Sequence, residues 1–237
     1  PVFLMSALDI GMTQRLAAPF AWDDARRYDR GKVMTAEMLE SGREFGRYLD
    51  VDGDGIPYRT WPGTHPTRGA YFTRGTTKDG WARYSEAGHD YVANVQRLLR
   101  KFDTARTLVP AAIERRAAQP TPFGAIHFGS TAPAMAEASG ELDARHAHVD
   151  TLRIRAFPFG EEVERFIAGH DTVFVVEQNR DGQLRTMLVN ELGVDPARLV
   201  PVLHYDGTPI TARFIIDEIG ARVSGANVQP ITRHKVA

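Results

Sequence analysis

From Phe123 onward the chain keeps a rhythm that leaves few folds open to it. Short runs rich in Val and Ile alternate with longer segments of helical periodicity. "FGAIHFG", "DTLRIRAF", "TVFVVEQN" and "RLVPVLHY" read as strands, each followed by a helix: "TAPAMAEASGELDARH", "GEEVERFIAGH", "DGQLRTMLVNELG" and "TARFIIDEIGARV". Strands that alternate with helices of about 10–15 residues make βαβ units, so the fold class is α/β with a parallel sheet. Asp181 and Thr211 fall where helix N-caps belong, and Gly193 where a C-cap belongs.

Residues 1–120 lack that regularity. The apolar run Val2–Leu8 reads as a buried strand with no charged leader before it. A chain opening on Pro1 inside such a strand is expected to be the later part of a longer polypeptide. A polar, Arg-rich stretch follows, then a region dense in Gly, Pro and Thr. From Tyr84 a helix is expected, with Tyr91, Val92, Val95, Leu98, Leu99, Phe102 and Ala105 on the packed face and Asn94, Arg97, Arg100 and Lys101 on the other. "RRAAQPTP" (Arg115–Pro122) reads as a linker.

Composition narrows function mainly by exclusion. A net charge of −1 with intermixed signs gives no electrostatic footprint for nucleic acid. No apolar run approaches the roughly 20 residues of a membrane span. The absence of cysteine excludes disulfides, thiolate zinc sites and an iron–sulfur cluster ligated by this chain, and it suits a cytoplasmic location.

Asp50, Asp52, Asp54 and Gly55 match the first half of an EF-hand loop, but Trp61 stands where the closing Glu must be and three prolines follow. A tight turn fits better than a calcium site. Gly129-Ser130-Thr131 follows a strand and opens a helix, a place for either a phosphate or an ordinary cap. His146 and His148 lack a third metal ligand and read as solvated. Glu177, Gln178 and Asn179 end the most apolar strand, where α/β sheets place ligands, or else they satisfy a buried loop. "TRGTTKD" (Thr73–Asp79) is the stretch richest in chemistry: Arg74 can grip an anion, and a polar hairpin tip would look similar.

Several segments resemble, in order and spacing, the C-terminal portion of the α subunit of 2-oxoacid:ferredoxin oxidoreductases, most of all the CoA-dependent 2-oxoglutarate enzymes. They are "PVFLMSALDIGM", "GIPYRTWPGTHPTRGAYFTRGTTKDGWARYSE", "VQRLLRKFDTARTLVP", "FGAIHFGS" and "VFVVEQNRDGQL". The resemblance covers nearly the whole chain. It implies that residues 1–120 are the end of a pyrimidine-binding domain with connecting hairpins and a helix. Residues 121–237 are then a domain like the C-terminal domain of transketolase. It implies an enzyme using thiamine diphosphate with Mg, with CoA as co-substrate, a partner β subunit carrying an iron–sulfur cluster, and ferredoxin as electron acceptor, in a cytoplasmic hetero-oligomer. The thiamine-activating Glu and a Tyr-Pro-x-Thr-Pro substrate loop would lie upstream of Pro1, so this portion alone would bind no cofactor and be inactive. Arg74, Thr76, Thr77, Lys78 and Asp79 would form a loop near substrate or CoA. Ala7 departs from the family's acidic residue and Lys78 from its His or Arg. The alternative reading is a non-catalytic assembly or binding module.

Overall fold

The computed structural model describes residues 3–14 and 16–224. The chain divides into two compact units, one of Ala17–Val109 and one of Pro1–Leu16 with Pro110–Ala237.

The apolar start is not a strand. A short helix α1 (Leu8–Met12) buries no side chain, and Phe3, Leu4 and Met5 are 90%, 98% and 90% exposed. A strand needs a ladder partner for its amides, and the described residues offer this run none.

In the unit of residues 17–109, helix α2 (Ala36–Glu40) is capped by Thr35, whose hydroxyl accepts from the Met38 amide at 3.3 Å. The buried aliphatic side chains of this unit are few: Met34, Leu39 and Ala82. Cations over aromatic rings recur instead, among them Lys32 and Arg43 over Tyr58 and Arg59 over Trp61.

Helix α3 (Gly88–Leu108) starts later than its periodicity suggests. Ser85 is still committed to a hairpin, its amide donating to the Thr77 carbonyl. The helix also packs by the unexpected face. Arg97 is its one buried residue, while Tyr91, Val92, Val95, Leu98, Leu99 and Phe102 are 38–57% exposed. The polar face supplies donors to a loop whose carbonyls need them. Arg97 donates to the Gly55 carbonyl at 3.1 Å, Thr104 to that of Asp54 at 2.6 Å, and Asn94 to that of Lys78. The approach is close enough to demand glycine: a Cβ on Gly55 (φ +77°) would stand 2.3 Å from the Lys101 nitrogen.

The second unit is the α/β fold the rhythm foretold. In chain order it runs β1 (Ile113–Arg115), β2 (Phe123–Phe128), α4 (Ala132–Ala144), β3 (Asp150–Ile154), α5 (Glu161–Ala168), β4 (Thr172–Glu177), α6 (Gln183–Leu192), β5 (Leu199–Leu203) and α7 (Ala212–Ser224). The sheet order is β1-β3-β2-β4-β5, with β1 antiparallel and the other four strands parallel. Alternation along the strands splits the core in two. Ala125, Phe174, Val176 and Val202 meet α4 and α7 on one face, while Ile126, Leu152, Val173 and Val175 meet α5 and α6 on the other. Each fully buried side chain of this kind contributes about 1.5–3 kcal/mol.

Strand β1 lies just ahead of the expected linker and shares only Arg115 with it, and the linker itself is fastened. Asp150 accepts from Arg116 at 2.7 Å and from the Ala117 amide at 2.8 Å, and it faces His170 Nε2 at 3.2 Å. Burial alone would raise the Asp150 carboxyl, but these bonds outweigh it and hold the group below the usual carboxylate range.

Candidate functional site

The parallel strands reverse direction of progress at β2, which has β3 on one side and β4 on the other. Ligand crevices of α/β sheets open at such a switch, beyond the carboxyl ends of the strands. Here Gly129–Thr131 follows β2, Glu177 ends β4 with Gln178 and Asn179 just beyond it, and the chain's own side chains close the gap. Gln178 donates to the hydroxyls of Ser130 (3.0 Å) and Thr131 (3.2 Å).

Glu177, wholly buried, accepts from the amides of Leu184 (2.7 Å) and Arg185 (3.0 Å) and from Asn179 Nδ2 (2.8 Å). It therefore caps α6 from the strand end. Asp181, the expected N-cap, does not take that role: Gly182 occupies the position, and Asn179 accepts from the Gln183 amide at 3.2 Å. Thr211 does cap α7, accepting from the Phe214 amide at 3.2 Å, and Gly193 closes α6 at φ +62°.

Beside the crevice lies an open groove of about 1330 Å³ whose lining includes Ser130, Pro133, Arg153, Thr211 and Arg213. On the same strand face, His127 is 5% exposed and its Nδ1 has no hydrogen-bond partner. Burial first, then the Arg153 charge, push its pKa down to about 4, so it is neutral at neutral pH.

The unit of residues 17–109 holds the loop singled out by sequence. Thr73–Ser85 is a hairpin in which Lys78 pairs with Tyr84. Arg74 is exposed and lies over the Tyr84 ring at 5.5 Å, and Gly75 takes φ +72° against that ring. Thr76 is exposed and Thr77 half-buried. Asp79 shapes the turn: its carboxylate accepts from the amides of Trp81 and Arg83, both at 2.9 Å. Lys78 turns the other way, its ammonium 5.1 Å from the Tyr48 ring centre. Arg97 and Arg47 lie over the same ring at 5.7 and 5.6 Å. No spacing in the sequence announces this convergence.

The aspartate turn carries its own cation. Lys32 Nζ lies 2.8 Å from Asp52 and 2.7 Å from Asp54, and Asp50 accepts from the Gly55 amide at 2.9 Å and from Arg100 at 3.0 Å. Hydrogen bonds from Lys32 hold Asp52 and Asp54 below the usual carboxylate range. His148 is not solvated as expected: its Nδ1 meets Asp143 at 2.9 Å. Among the described residues no three His, Asp or Glu side chains form a group able to hold a metal, and no helix is long and apolar enough to cross a membrane.

A five-stranded, mostly parallel sheet between two helical layers makes residues 110–224 an α/β domain. No protein-family model and no curated protein matches the chain. Among solved structures it is similar to a 2-oxoglutarate:ferredoxin oxidoreductase from Magnetococcus marinus with 2-oxoglutarate, coenzyme A and succinyl-CoA bound. The TM-score is 0.68 at 19% identity, over 77% of this chain and 31% of that one. At that identity the likeness establishes the fold, and the chain spans about a third of the matched protein's length.

Proposed function

We propose that the chain is part of the α subunit of a 2-oxoglutarate:ferredoxin oxidoreductase, a complex that converts 2-oxoglutarate and CoA to succinyl-CoA and passes electrons to ferredoxin. The observation that carries this is the agreement of two likenesses, one of backbone and one of sequence motifs. The backbone follows an enzyme of that kind over 77% of the chain, and sequence motifs resemble the same family along nearly all of it. In this reading residues 1–120 end a pyrimidine-binding domain and residues 121–237 form a transketolase-C-like domain. The partner is a β subunit, in a cytoplasmic hetero-oligomer.

Thiamine diphosphate, when bound, supplies the carbanion chemistry of decarboxylation. The described residues offer no cluster for its Mg, and the iron–sulfur cluster needs thiolates this cysteine-free chain lacks. In this reading both groups belong to the rest of the complex.

This chain's part is to place charge. Both 2-oxoglutarate and CoA are anions, and Arg74 presents an exposed guanidinium with no carboxylate partner among the described residues. Thr76 and Thr77 can donate hydroxyl hydrogen bonds, Lys78 adds a second cation, and Asp79 fixes the turn that displays them.

The test is CoA-dependent reduction of a viologen dye by the complete α and β subunits with 2-oxoglutarate. Turnover supports the reading, and its absence in a complex loaded with thiamine diphosphate refutes it in favour of a non-catalytic module. Within an active complex, Arg74→Ala should lose one charge-assisted bond of about 1.5–3 kcal/mol. That is roughly a 10- to 150-fold fall in kcat/KM for one of the two anions.

A further inference from the structure

Behind the hairpin, within the unit of residues 17–109, is a cleft of about 230 Å³. Tyr48, Lys78, Asn94, Arg97 and Arg100 are among its lining residues. Its lining holds as many cations, Lys78, Arg97 and Arg100, as carboxylates. Three carboxylates border it, and each is already engaged: Asp50 with Arg100 and the Gly55 amide, Asp79 with the amides of Trp81 and Arg83, Asp90 with the Ser85 hydroxyl.

Three cations, Arg47, Lys78 and Arg97, stand within 6 Å of the single Tyr48 ring. Among the described residues none of the three forms an ion pair, whereas neighbouring Arg43 and Arg100 do. Arg97 is the sharpest case. It is 8% exposed, its guanidinium donates to the Gly55 carbonyl, and its Nε, shut off from solvent, has no partner among the described residues. Burial and the Arg47 and Arg100 charges oppose its charged form, Asp50 offsets part of that, and a further acceptor would stabilise it. The ring face offsets only part of that repulsion.

We infer that this cleft binds a small oxyanion, a carboxylate or phosphate group, held between Lys78 and Arg97 beside the Tyr48 ring. The guanidinium N–H groups left over from the Gly55 bond and the Lys78 ammonium are matched donors for such an oxygen pair. At about 30 Å³ per water the space suits one such group with a few waters. The inference stands on the cleft alone. It rests on the proposed reaction only for which anion arrives, because Lys78 belongs to the loop assigned there.

The experiment uses the full chain, with inorganic phosphate and glutarate titrated separately by calorimetry and thermal shift at ionic strength held constant with chloride. At least one of them should bind saturably, and Lys78→Gln should weaken that binding about ten-fold or more while Lys78→Arg retains it. Arg97→Lys, checked for folding by circular dichroism, should act in the same direction. Stronger binding of phosphate points to a phosphate-bearing ligand, and stronger binding of glutarate to a dicarboxylate. No saturable binding of either up to about 50 mM, or equal binding by Lys78→Gln, overturns the inference. Neither result depends on turnover, so an inactive complex that still binds phosphate would refute the proposed reaction and leave the site standing.

Discussion

Glu177→Gln should destabilise the sheet unit through one helix terminus. The native carboxylate is wholly buried and meets three donors, the Leu184 and Arg185 amides at 2.7 and 3.0 Å and Asn179 Nδ2 at 2.8 Å. Glutamine keeps the volume but replaces one acceptor oxygen with a donor, so at least one buried amide loses its partner, at about 1–3 kcal/mol. Loss of the negative charge at the N-terminus of α6 adds up to ~2 kcal/mol in such a buried setting. A total of about 2–4 kcal/mol corresponds to a fall in Tm of roughly 4–15 °C for a chain of this size. Urea denaturation followed by circular dichroism gives the loss, and hydrogen exchange locates it. The amides of Leu184 and Arg185 should exchange much faster while those of α3 are unchanged. A Gln variant within about 0.5 kcal/mol of the native protein would show that the carboxylate does not hold the helix and would refute the reasoning.

Two glycines of the aspartate turn should respond differently to alanine. Both have φ +77°, so each loses the left-handed allowance of about 1–2 kcal/mol, but only at Gly55 does the new Cβ strike α3, 2.3 Å from the Lys101 nitrogen. Gly55→Ala should therefore cost at least about 3 kcal/mol and lower the helical signal, while Gly53→Ala stays near 1 kcal/mol. His127, with a folded pKa of about 4, adds stability that is complete above its unfolded value of about 6.5 and lost as pH falls between the two. Urea midpoints should show a loss of about 3 kcal/mol from this group between pH 7 and pH 4, and His127→Gln should flatten that slope. Calcium calorimetry should find no affinity tighter than about 1 mM at the aspartate turn, because Lys32 already occupies Asp52 and Asp54.

Four strands and their helices were legible because their side chains obey one rule, burial on both faces of a covered sheet. Strand β1 was not. It is three residues long at an edge, and "IER" carries no apolar period to announce it. The packed face of α3 is not legible for a related reason: amphipathicity says which face is apolar, not which face the chain covers. The cap of α6 escaped local rules because the acceptor, Glu177, sits on the preceding strand rather than before the helix. The candidate loop was visible as composition, whereas the cations around Tyr48 come from residues 47 to 97, and only folding brings them together.

The contrast between the two units also sets how each responds to temperature. Heat capacity of unfolding comes from hydrating apolar surface, and exposing polar surface subtracts from it. Residues 110–224 bury two extensive apolar clusters, so their stability curve is strongly domed and weakens on cooling as well as on heating. Residues 17–109 have Met34, Leu39 and Ala82 as buried aliphatic side chains, and rely on donors to carbonyls and cations over rings. Their curve is correspondingly flat: a region with little to lose in the cold, and one more sensitive to salt than to temperature.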